Sequence, residues 1–218
     1  MHCVNTQGQH QKTVVGKIVC VARNYAEHAR ELGNPVPDKA VLFIKPASSI
    51  LADGGTVVIP AYSQDCHHEI ELAVLIGRAG KDIAEADALS HVAGFGVALD
   101  LTLRDVQAEL KAKGLPWEIA KSFDTSCPLS AFVPAEQVAD PQQLRLRLTV
   151  NGELRQDGAT ADMLRPVARL ISEASACFTL EAGDILLTGT PSGVGPIKSG
   201  DRLEAVIEGV GSLSVNVL

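Results

Sequence analysis

The chain has 218 residues, of which 46% are hydrophobic and 21% charged, and its 26 acidic and 19 basic residues give a formal charge of -7. This length is enough to bury a large core, and negative charge without a Lys/Arg-rich block argues against a nucleic-acid binder. No apolar run approaches the roughly 20 residues that span a bilayer, so we expect no membrane partner. A small molecule or another protein is the expected partner.

Five cysteines are scattered along the chain without a Cys-x-x-Cys pair. An odd, unpatterned set is typical of a reducing compartment rather than of a disulfide framework, so we expect the cytoplasm. The opening residues, MHCVNTQGQHQKT, are polar and show no periodicity. We therefore expect a flexible arm over residues 1–16, followed by one domain over 17–218.

The first half of the chain is dominated by short apolar, β-branched runs that predict strands. These runs are KIVCVA (17–22), VLFIKP (41–46), TVVIP (56–60) and HEIELAVLIG (68–77). Between the first two, NYAEHARELG predicts a short helix that ends at Gly33. After the fourth, KDIAEADALSHV has a helix-like composition.

The second half repeats this alternation. GFGVALDLT (94–102) predicts a buried strand, and LRDVQAELKAKG after it predicts a helix. Asn151-Gly152 in LRLRLTVNGELRQ predicts a β-hairpin, MLRPVARLISEA predicts a helix, and glycine-punctuated strands fill 184–218. Strands outnumber helices and no repeat is present, so we expect an α+β fold, rich in strands with short helices.

The stretch HHEIEL carries charge into a predicted buried strand. Alternate residues of a strand share a face, so Glu69 and Glu71 point the same way, roughly 6.5 to 7 Å apart. Asp100 ends the next buried run and could join them, and three carboxylates favour Mg²⁺ or Mn²⁺ over Zn²⁺. The alternative is the solvent face of an amphipathic strand. His67 shares the parity of the glutamates and His68 does not; for both we favour a structural role around the site.

Three further groups of residues could take part in chemistry. His28 and Glu31 adjoin on one helical surface, where the carboxylate could orient the imidazole for proton abstraction, unless they form an exposed pair. Lys121, in GLPWEIAKSFDTSCP, could offset anionic charge or be a surface lysine. Thr188 and Thr190 lie in LLTGTPSGVGPIKSG, a glycine-rich loop whose amides could hold a carboxylate. Neither this loop nor GFGVAL carries a nucleotide fingerprint.

Taken in order, these segments resemble the fumarylacetoacetate hydrolase family from about Lys17 to Leu218. The resemblance is strongest to its small single-domain acylpyruvases, oxaloacetate decarboxylases and oxaloacetate tautomerases. The segments that carry it are VARNYAEHARELG, VLFIKP, HHEIELAVLIG, GFGVALDLTLRDVQ, KGLPWEIAKSFDTSCP, VNGELRQ and GDILLTGTPSGVGP.

The resemblance implies a mixed β-roll of the family's C-terminal domain type, usually as a homodimer. It implies Mg²⁺ or Mn²⁺ held by Glu69, Glu71 and Asp100. It also implies three catalytic residues, namely His28, Glu31 and Lys121. The substrate contacts that it implies are Gln107 and Thr190 and, on looser motif matches, Arg23, Arg104 and Thr125.

The activity that the resemblance implies is chemistry on small 2-oxo and 1,3-dicarbonyl acids through a metal-bound enolate. Hydrolysis of a C–C bond in acylpyruvates, decarboxylation of oxaloacetate and tautomerisation of oxaloacetate all remain open. One alternative is the family's isomerase and decarboxylase branch of aromatic-acid catabolism, of the 2-hydroxyhepta-2,4-diene-1,7-dioate isomerase type. Another is a non-catalytic binding protein of the same fold, although such a protein would be expected to have lost part of the site.

Overall fold

A computed structural model describes residues 2–8, 12–31, 33 and 38–218. Its α-helices are α1 Ala26–Glu31, α2 Arg104–Lys113, α3 Glu118–Lys121 and α4 Val167–Cys177. Its strands are β1 Cys3–Val4, β2 Thr13–Val14, β3 Lys17–Ala22, β4 Val41–Pro46, β5 Ile50–Ala52, β6 Thr56–Val57, β7 Cys66–His68, β8 Ile70–Ile76, β9 Val92–Leu99, β10 Thr102–Leu103, β11 Cys127–Leu129, β12 Val133–Pro134, β13 Arg145–Val150, β14 Glu153–Ala159, β15 Ile185–Leu187, β16 Gly195–Ile197, β17 Arg202–Ile207 and β18 Gly211–Val217.

A mixed sheet lies at the centre of the molecule, in the order β4-β3-β15-β8-β9-β11-β5, with β12 also paired to β9. Every residue of β8 is buried. Ile70 and Leu72 pack in the larger hydrophobic cluster, whereas Ala73 and Leu75 pack in a smaller one. Because both faces of the sheet are covered, its central strand is continuously apolar rather than alternating.

A second, five-stranded sheet has the order β14-β13-β17-β18-β6. Its β17 alternates exposed and buried residues, as expected for a sheet with one face on the core and one in water. The inward residues, such as Leu146 and Leu203, join the larger cluster, which also contains Leu170 and Ile171 of α4. A small sheet of β10, β7 and β16 completes the α+β fold.

Several predicted elements are confirmed. KIVCVA and VLFIKP are β3 and β4, and they pair antiparallel. The helix α2 ends at Gly114, which takes the left-handed conformation at φ 64°. Asn151 and Gly152 both have positive φ, at 54° and 80°, as a type I′ turn between β13 and β14 requires.

Other predicted elements differ in extent or type. TVVIP is a strand only over Thr56–Val57. The helix-like segment KDIAEADALSHV contains a 3₁₀ helix over Glu85–His91, whose buried residues Ala88 and His91 recur at the three-residue period of that helix. The helix predicted over 24–33 spans Ala26–Glu31, and its predicted end at Gly33 has φ 63°.

The amino-terminal segment contacts the body of the protein. β1 pairs with β2, and Val4 and Val15 are buried in the smaller cluster. The amide of Gln7 donates to the carbonyl of Phe132 at 2.8 Å. The described part of residues 1–16 thus contacts the body of the protein, while the flexibility of this arm and the division at residue 17 stay predictions.

Within the described ranges, the helices are all too short or too polar to cross a membrane.

The fold predicts one strong stability effect at Asp184, a buried residue just before β15. Its carboxylate accepts hydrogen bonds from the Lys17 backbone amide at 3.0 Å, from the Glu181 amide at 2.8 Å and from the Lys17 ammonium group. Asp184→Ala leaves these donors without a partner, so we expect the free energy of unfolding to fall by about 3 kcal/mol in urea titrations. Glu109→Ala, which breaks an exposed ion pair with Lys113, should change it little.

Candidate active site

The pairing of two central strands brings three carboxylates together. β8 and β9 run antiparallel with Ile70 opposite Leu99, and the amide of Asp100 donates to the carbonyl of Glu69 at 2.8 Å. One side-chain oxygen each of Glu69, Glu71 and Asp100 lies within 4.8 Å of the other two. Their exposed fractions are 4%, 1% and 1%, so the alternative of a solvent-facing strand is wrong.

The ammonium group of Lys121 lies between two of these carboxylates. It donates to Glu69 Oε2 at 3.0 Å and to Asp100 Oδ2 at 2.6 Å. Burial alone would lower the pKa of Lys121, but Asp100 and Glu69 outweigh burial and raise it. Burial likewise opposes ionisation of Glu69, yet Lys121 and Arg104 hold its pKa well below the ordinary value. Lys121 is therefore a buried cation and not a surface lysine.

Glu71 has a different environment. Its Oε2 accepts a hydrogen bond from the Gly189 amide at 2.6 Å, and no lysine or arginine in the described residues pairs with it. Burial, Asp100 and Glu69 raise its pKa well above the ordinary value. Asp100 Oδ1 is also buried without a hydrogen bond in the described structure, although Lys45 Nζ lies 2.9 Å away. These oxygens fit a divalent cation, which would relieve the repulsion between the carboxylates.

Lys45 is a buried residue of the site that the sequence reasoning missed. It is fully buried, and its ammonium group donates to Ser126 Oγ at 3.0 Å, to the Ser126 carbonyl at 3.1 Å and to the Lys121 carbonyl. Lys45 thus holds the backbone that carries Lys121. The available signal was a lysine inside the apolar run VLFIKP, where a charge must find partners.

The predicted histidine–glutamate pair forms on α1. His28 is buried, with 5% of its surface exposed, and its Nδ1 lies 3.3 Å from Glu31 Oε2. The Glu31 carboxylate in turn accepts a hydrogen bond from the Gly193 amide, at 3.1 and 3.3 Å to its two oxygens. Since Nδ1 faces the carboxylate, Nε2 is the nitrogen available to act as a base. Burial of His28 rules out the exposed-pair alternative.

Gly193 has φ 92°, and a Cβ built there would lie 2.3 Å from the Arg155 carbonyl oxygen. Glycine is required at this position because both the conformation and the close backbone approach exclude a side chain. The loop can therefore present its amide to Glu31 only with glycine at 193.

One cavity gathers most of the predicted site residues. Its walls contain the three carboxylates, His28 and Lys121, together with Arg23, Arg104, Gln107 and Thr190. Glu31 does not line it but contacts His28, which does. Thr125 does not line it either, and its hydroxyl accepts a hydrogen bond from the Val58 amide at 3.0 Å. Its contact with substrate stays a prediction.

The cavity also has a positively charged side. Arg104 donates to Glu69 Oε1 and, at 3.1 Å, to Gln107 Oε1, which positions that amide. Lys111, which the sequence reasoning did not select, lines the cavity beside them, with Trp117. Partial burial, Arg23 and Arg104 lower the pKa of Lys111. Arg23, Arg104 and Lys111 are positively charged and repel one another, and an anion bound between them would relieve this repulsion.

Arg23 has a left-handed backbone, with φ 59°. This conformation costs a non-glycine residue about 1–2 kcal/mol. Strain of this kind at a cavity wall is consistent with the predicted contact to substrate.

The two histidines in front of the metal strand lie outside the three-carboxylate cluster. His67 pairs with Asp65 at 2.9 Å, and burial and Arg104 lower its pKa. His68 pairs with Gln156 at 3.0 Å, and burial lowers its pKa as well. These contacts support the structural role predicted for both.

The fold combines three clustered, buried carboxylates with a lysine and a histidine–glutamate pair. This arrangement is that of a metal-dependent enzyme that acts on small molecules. The family model described as fumarylacetoacetate (FAA) hydrolase C-terminal matches residues 17–218. The chain belongs to this family, as the sequence resemblance predicted.

Individual relatives agree with this assignment. The chain is 54% identical to mouse mitochondrial oxaloacetate tautomerase FAHD1 over 200 residues. This match covers 92% of this chain and 90% of the relative. It is 51% identical over 215 residues to oxaloacetate tautomerase YcgM of Escherichia coli K12, with 98% of both chains covered. The crystal structure of fumarylpyruvate hydrolase from Pseudomonas aeruginosa, in complex with Mn²⁺ and pyruvate, has a TM-score of 0.95 at 39% identity and covers 99% of this chain and 95% of that one.

The carboxylate cluster predicts how cation affinity responds to substitution. Glu71→Gln keeps the shape of the side chain but removes one anionic oxygen ligand, so we expect Mn²⁺ to bind at least about tenfold more weakly. Electron paramagnetic resonance of free Mn²⁺ measures this directly. Glu204→Gln on the exposed face of β17 is the matched control, and equal affinity of both variants would contradict the assignment.

Proposed function

We propose that this protein is a divalent-metal-dependent enzyme, using Mg²⁺ or Mn²⁺, that tautomerises oxaloacetate between its keto and enol forms. One observation carries the proposal: a buried cluster of three carboxylates, to two of which Lys121 donates hydrogen bonds, lines a cavity that Arg23, Arg104 and Lys111 also line. Oxaloacetate is a small dianion that matches this distribution of charge. The relatives named oxaloacetate tautomerases, at 51–54% identity, support the choice.

In this proposal Glu69, Glu71 and Asp100 hold the cation. The cation, when bound, supplies Lewis-acid polarisation of the 2-oxo carbonyl group. Arg104, Gln107 and Thr190 line the same cavity and would fix the carboxylate groups of the substrate by hydrogen bonds.

Lys121 would stabilise the negative charge that develops during the reaction. Tautomerisation passes the C3 proton of oxaloacetate to solvent water, which leaves an enolate with its negative charge on the 2-oxo oxygen, and a proton from water then completes the enol. The ammonium group, kept protonated by Asp100 and Glu69, stabilises this charge electrostatically.

A second activity is favoured by the pair of His28 and Glu31. Tautomerisation needs no attacking water, whereas a histidine held at hydrogen-bond distance from a carboxylate is suited to draw a proton from water. We propose that this pair supports hydrolysis of an acylpyruvate, in which water attacks the distal carbonyl group. The structural similarity to a fumarylpyruvate hydrolase is in agreement.

The deciding experiment is a panel of oxaloacetate, fumarylpyruvate and acetylpyruvate, assayed with Mg²⁺ or Mn²⁺ by the absorbance of the enol and by product formation. We expect enol–keto interconversion of oxaloacetate with either cation. Failure on all three compounds would overturn the proposal and favour the isomerase branch of the family.

His28→Ala separates the two activities. We expect hydrolysis of acetylpyruvate to fall by at least about a hundredfold because the general base is lost, while oxaloacetate tautomerisation falls much less. Steady-state rates on both substrates measure the difference. Glu27→Gln, an exposed change on the same helix, should affect neither, and equal losses for both substrates in His28→Ala would refute the separate role of the pair.

Lys111→Gln tests whether the cationic side of the cavity recognises a second carboxylate. We expect kcat/KM to fall by about tenfold for fumarylpyruvate, which has a distal carboxylate, and much less for acetylpyruvate, which lacks one. Lys113→Gln provides the control, because Lys113 lies on the same helix but is exposed and paired with Glu109 at 2.5 Å. An equal loss for both substrates would exclude a distal-carboxylate contact.

We further propose a homodimer in the cytoplasm. The homodimer follows from the family resemblance, and light scattering of the purified protein tests it. All five cysteines are free, which supports a reducing compartment, and the E. coli relative is bacterial whereas the mouse relative is named mitochondrial.

A further inference from the structure

Gln156 is a fully buried polar residue in an otherwise exposed strand. The three residues before it in β14 are exposed, and Asp157 after it is exposed as well. Its side chain points into the core, toward the strands and the loop that form the cavity. A buried amide with four hydrogen-bonding positions is costly unless each of them is used.

All four positions of the Gln156 amide are used. Its Oε1 accepts from the Ile70 amide and pairs with His68 Nδ1, both at 3.0 Å. Its Nε2 donates to Thr190 Oγ1 at 2.8 Å and to the Pro191 carbonyl at 2.9 Å. Gln156 thereby joins the two residues that flank Glu69 to the loop that lines the cavity.

A β-bulge directs this side chain inward. Thr149 pairs with Leu154, but Leu148 pairs with Gln156, so Arg155 is the extra residue. Regular pairing from the Asn151-Gly152 turn would set Gln156 opposite Arg147, whose side chain is 43% exposed, and would direct it outward. Bulges that redirect a side chain are common beside active sites.

Two backbone groups fix the orientation of the amide. The Ile70 N–H can only donate and the Pro191 carbonyl can only accept, so Oε1 must face the first and Nε2 the second. Thr190 Oγ1 is therefore an acceptor toward Gln156. Its own hydrogen has no other partner among the described residues and is left for an acceptor inside the cavity that Thr190 lines.

We propose that Gln156 is a positioning residue that commits the Thr190 hydroxyl to donate a hydrogen bond to an anionic oxygen of the substrate. This inference rests on the proposed function, because it takes the ligand to be a 2-oxo acid. Gln156 does not touch the ligand and acts only through Thr190. The pair selects ligands that present an acceptor oxygen at this point of the cavity.

Gln156→Glu is the direct test. In its ionised form the new glutamate is nearly isosteric but cannot donate, so the Thr190 hydroxyl turns to donate to it and is withdrawn from the substrate. We expect the dissociation constant of pyruvate, measured by calorimetry on Mn²⁺-loaded protein, to rise at least about tenfold. Gln156→Met, which is neutral and similar in shape, carries the test if the glutamate variant does not fold, and we expect a smaller rise of about threefold to tenfold.

A matched control and a double-variant cycle separate positioning from a general structural effect. Gln142→Glu changes another glutamine that bonds only backbone groups, at Thr160 and Val167, and should bind pyruvate like the wild type. Thr190→Val should weaken pyruvate binding as Gln156→Glu does, and Thr190→Ser should restore it. In the Thr190→Val background, Gln156→Glu should add less than about twofold.

Two outcomes would overturn the proposal: unchanged pyruvate affinity in a folded Gln156→Glu, or independent, multiplying losses in the double variant. A readout without ligand distinguishes these from failure of the proposed function. The side-chain amide signals of Gln156 in a ¹⁵N spectrum should shift on Thr190→Val, and the absence of a shift would disprove the link. If the link is present but wild-type protein binds no pyruvate, the oxo-acid ligand is wrong and the selection inferred from it falls too.

Discussion

The ion pairs that Lys121 makes with Glu69 and Asp100 are the interactions on which the site depends. Three carboxylates within 4.8 Å would repel one another strongly in a buried position. Lys121 offsets part of this repulsion, and Lys45 supports the backbone that carries Lys121. This arrangement leaves Glu71 as the carboxylate without a cationic partner in the described structure. The protein thus folds around a cluster that still favours an added cation.

The glycine-rich loop after β15 connects the parts of the site. The Gly189 amide binds Glu71, the Thr190 hydroxyl binds Gln156, and the Gly193 amide binds Glu31. A single loop therefore contacts a metal-ligand candidate, the buried amide of Gln156 and the carboxylate that adjoins the candidate base. Small residues are needed here because the loop approaches neighbouring backbone and side chains closely at Gly189 and Gly193.

The sequence predicted the cluster because its evidence was local. Strand parity paired Glu69 with Glu71, and the helical spacing of His28 and Glu31 placed them side by side. Asp100 was harder, since its position depends on the register between two strands. Sequence spacing alone could not assign roles to Lys121, Gln107 and Thr190. Their roles were predicted from the family resemblance.

The residues that were missed depend on tertiary contacts. Lys45 had a local signal in its apolar run, but its partners come from distant segments; Gln156 lies in an exposed strand that gives no sign of a site, and Lys111 reaches the cavity only because α2 packs beside it. Thr125 was selected by its neighbourhood in the motif; it does not line the cavity, and its hydroxyl accepts a hydrogen bond from the Val58 amide. The 3₁₀ helix over Glu85–His91 shows the same limit, because composition alone could not distinguish its three-residue period from the 3.6-residue period of an α-helix.

The two strands that position the carboxylates have a kinetic consequence, because Glu71 lies in β8 while Glu69 and Asp100 directly adjoin β8 and β9. β8 and β9 are central, buried strands, and segments of that kind open to solvent only with an expenditure of free energy near that of global unfolding. Local fluctuations of the sheet therefore cannot release a bound cation. A cation bound there would exchange through the cavity that Arg104 and Lys111 line, so a dianion bound in that cavity would slow its departure.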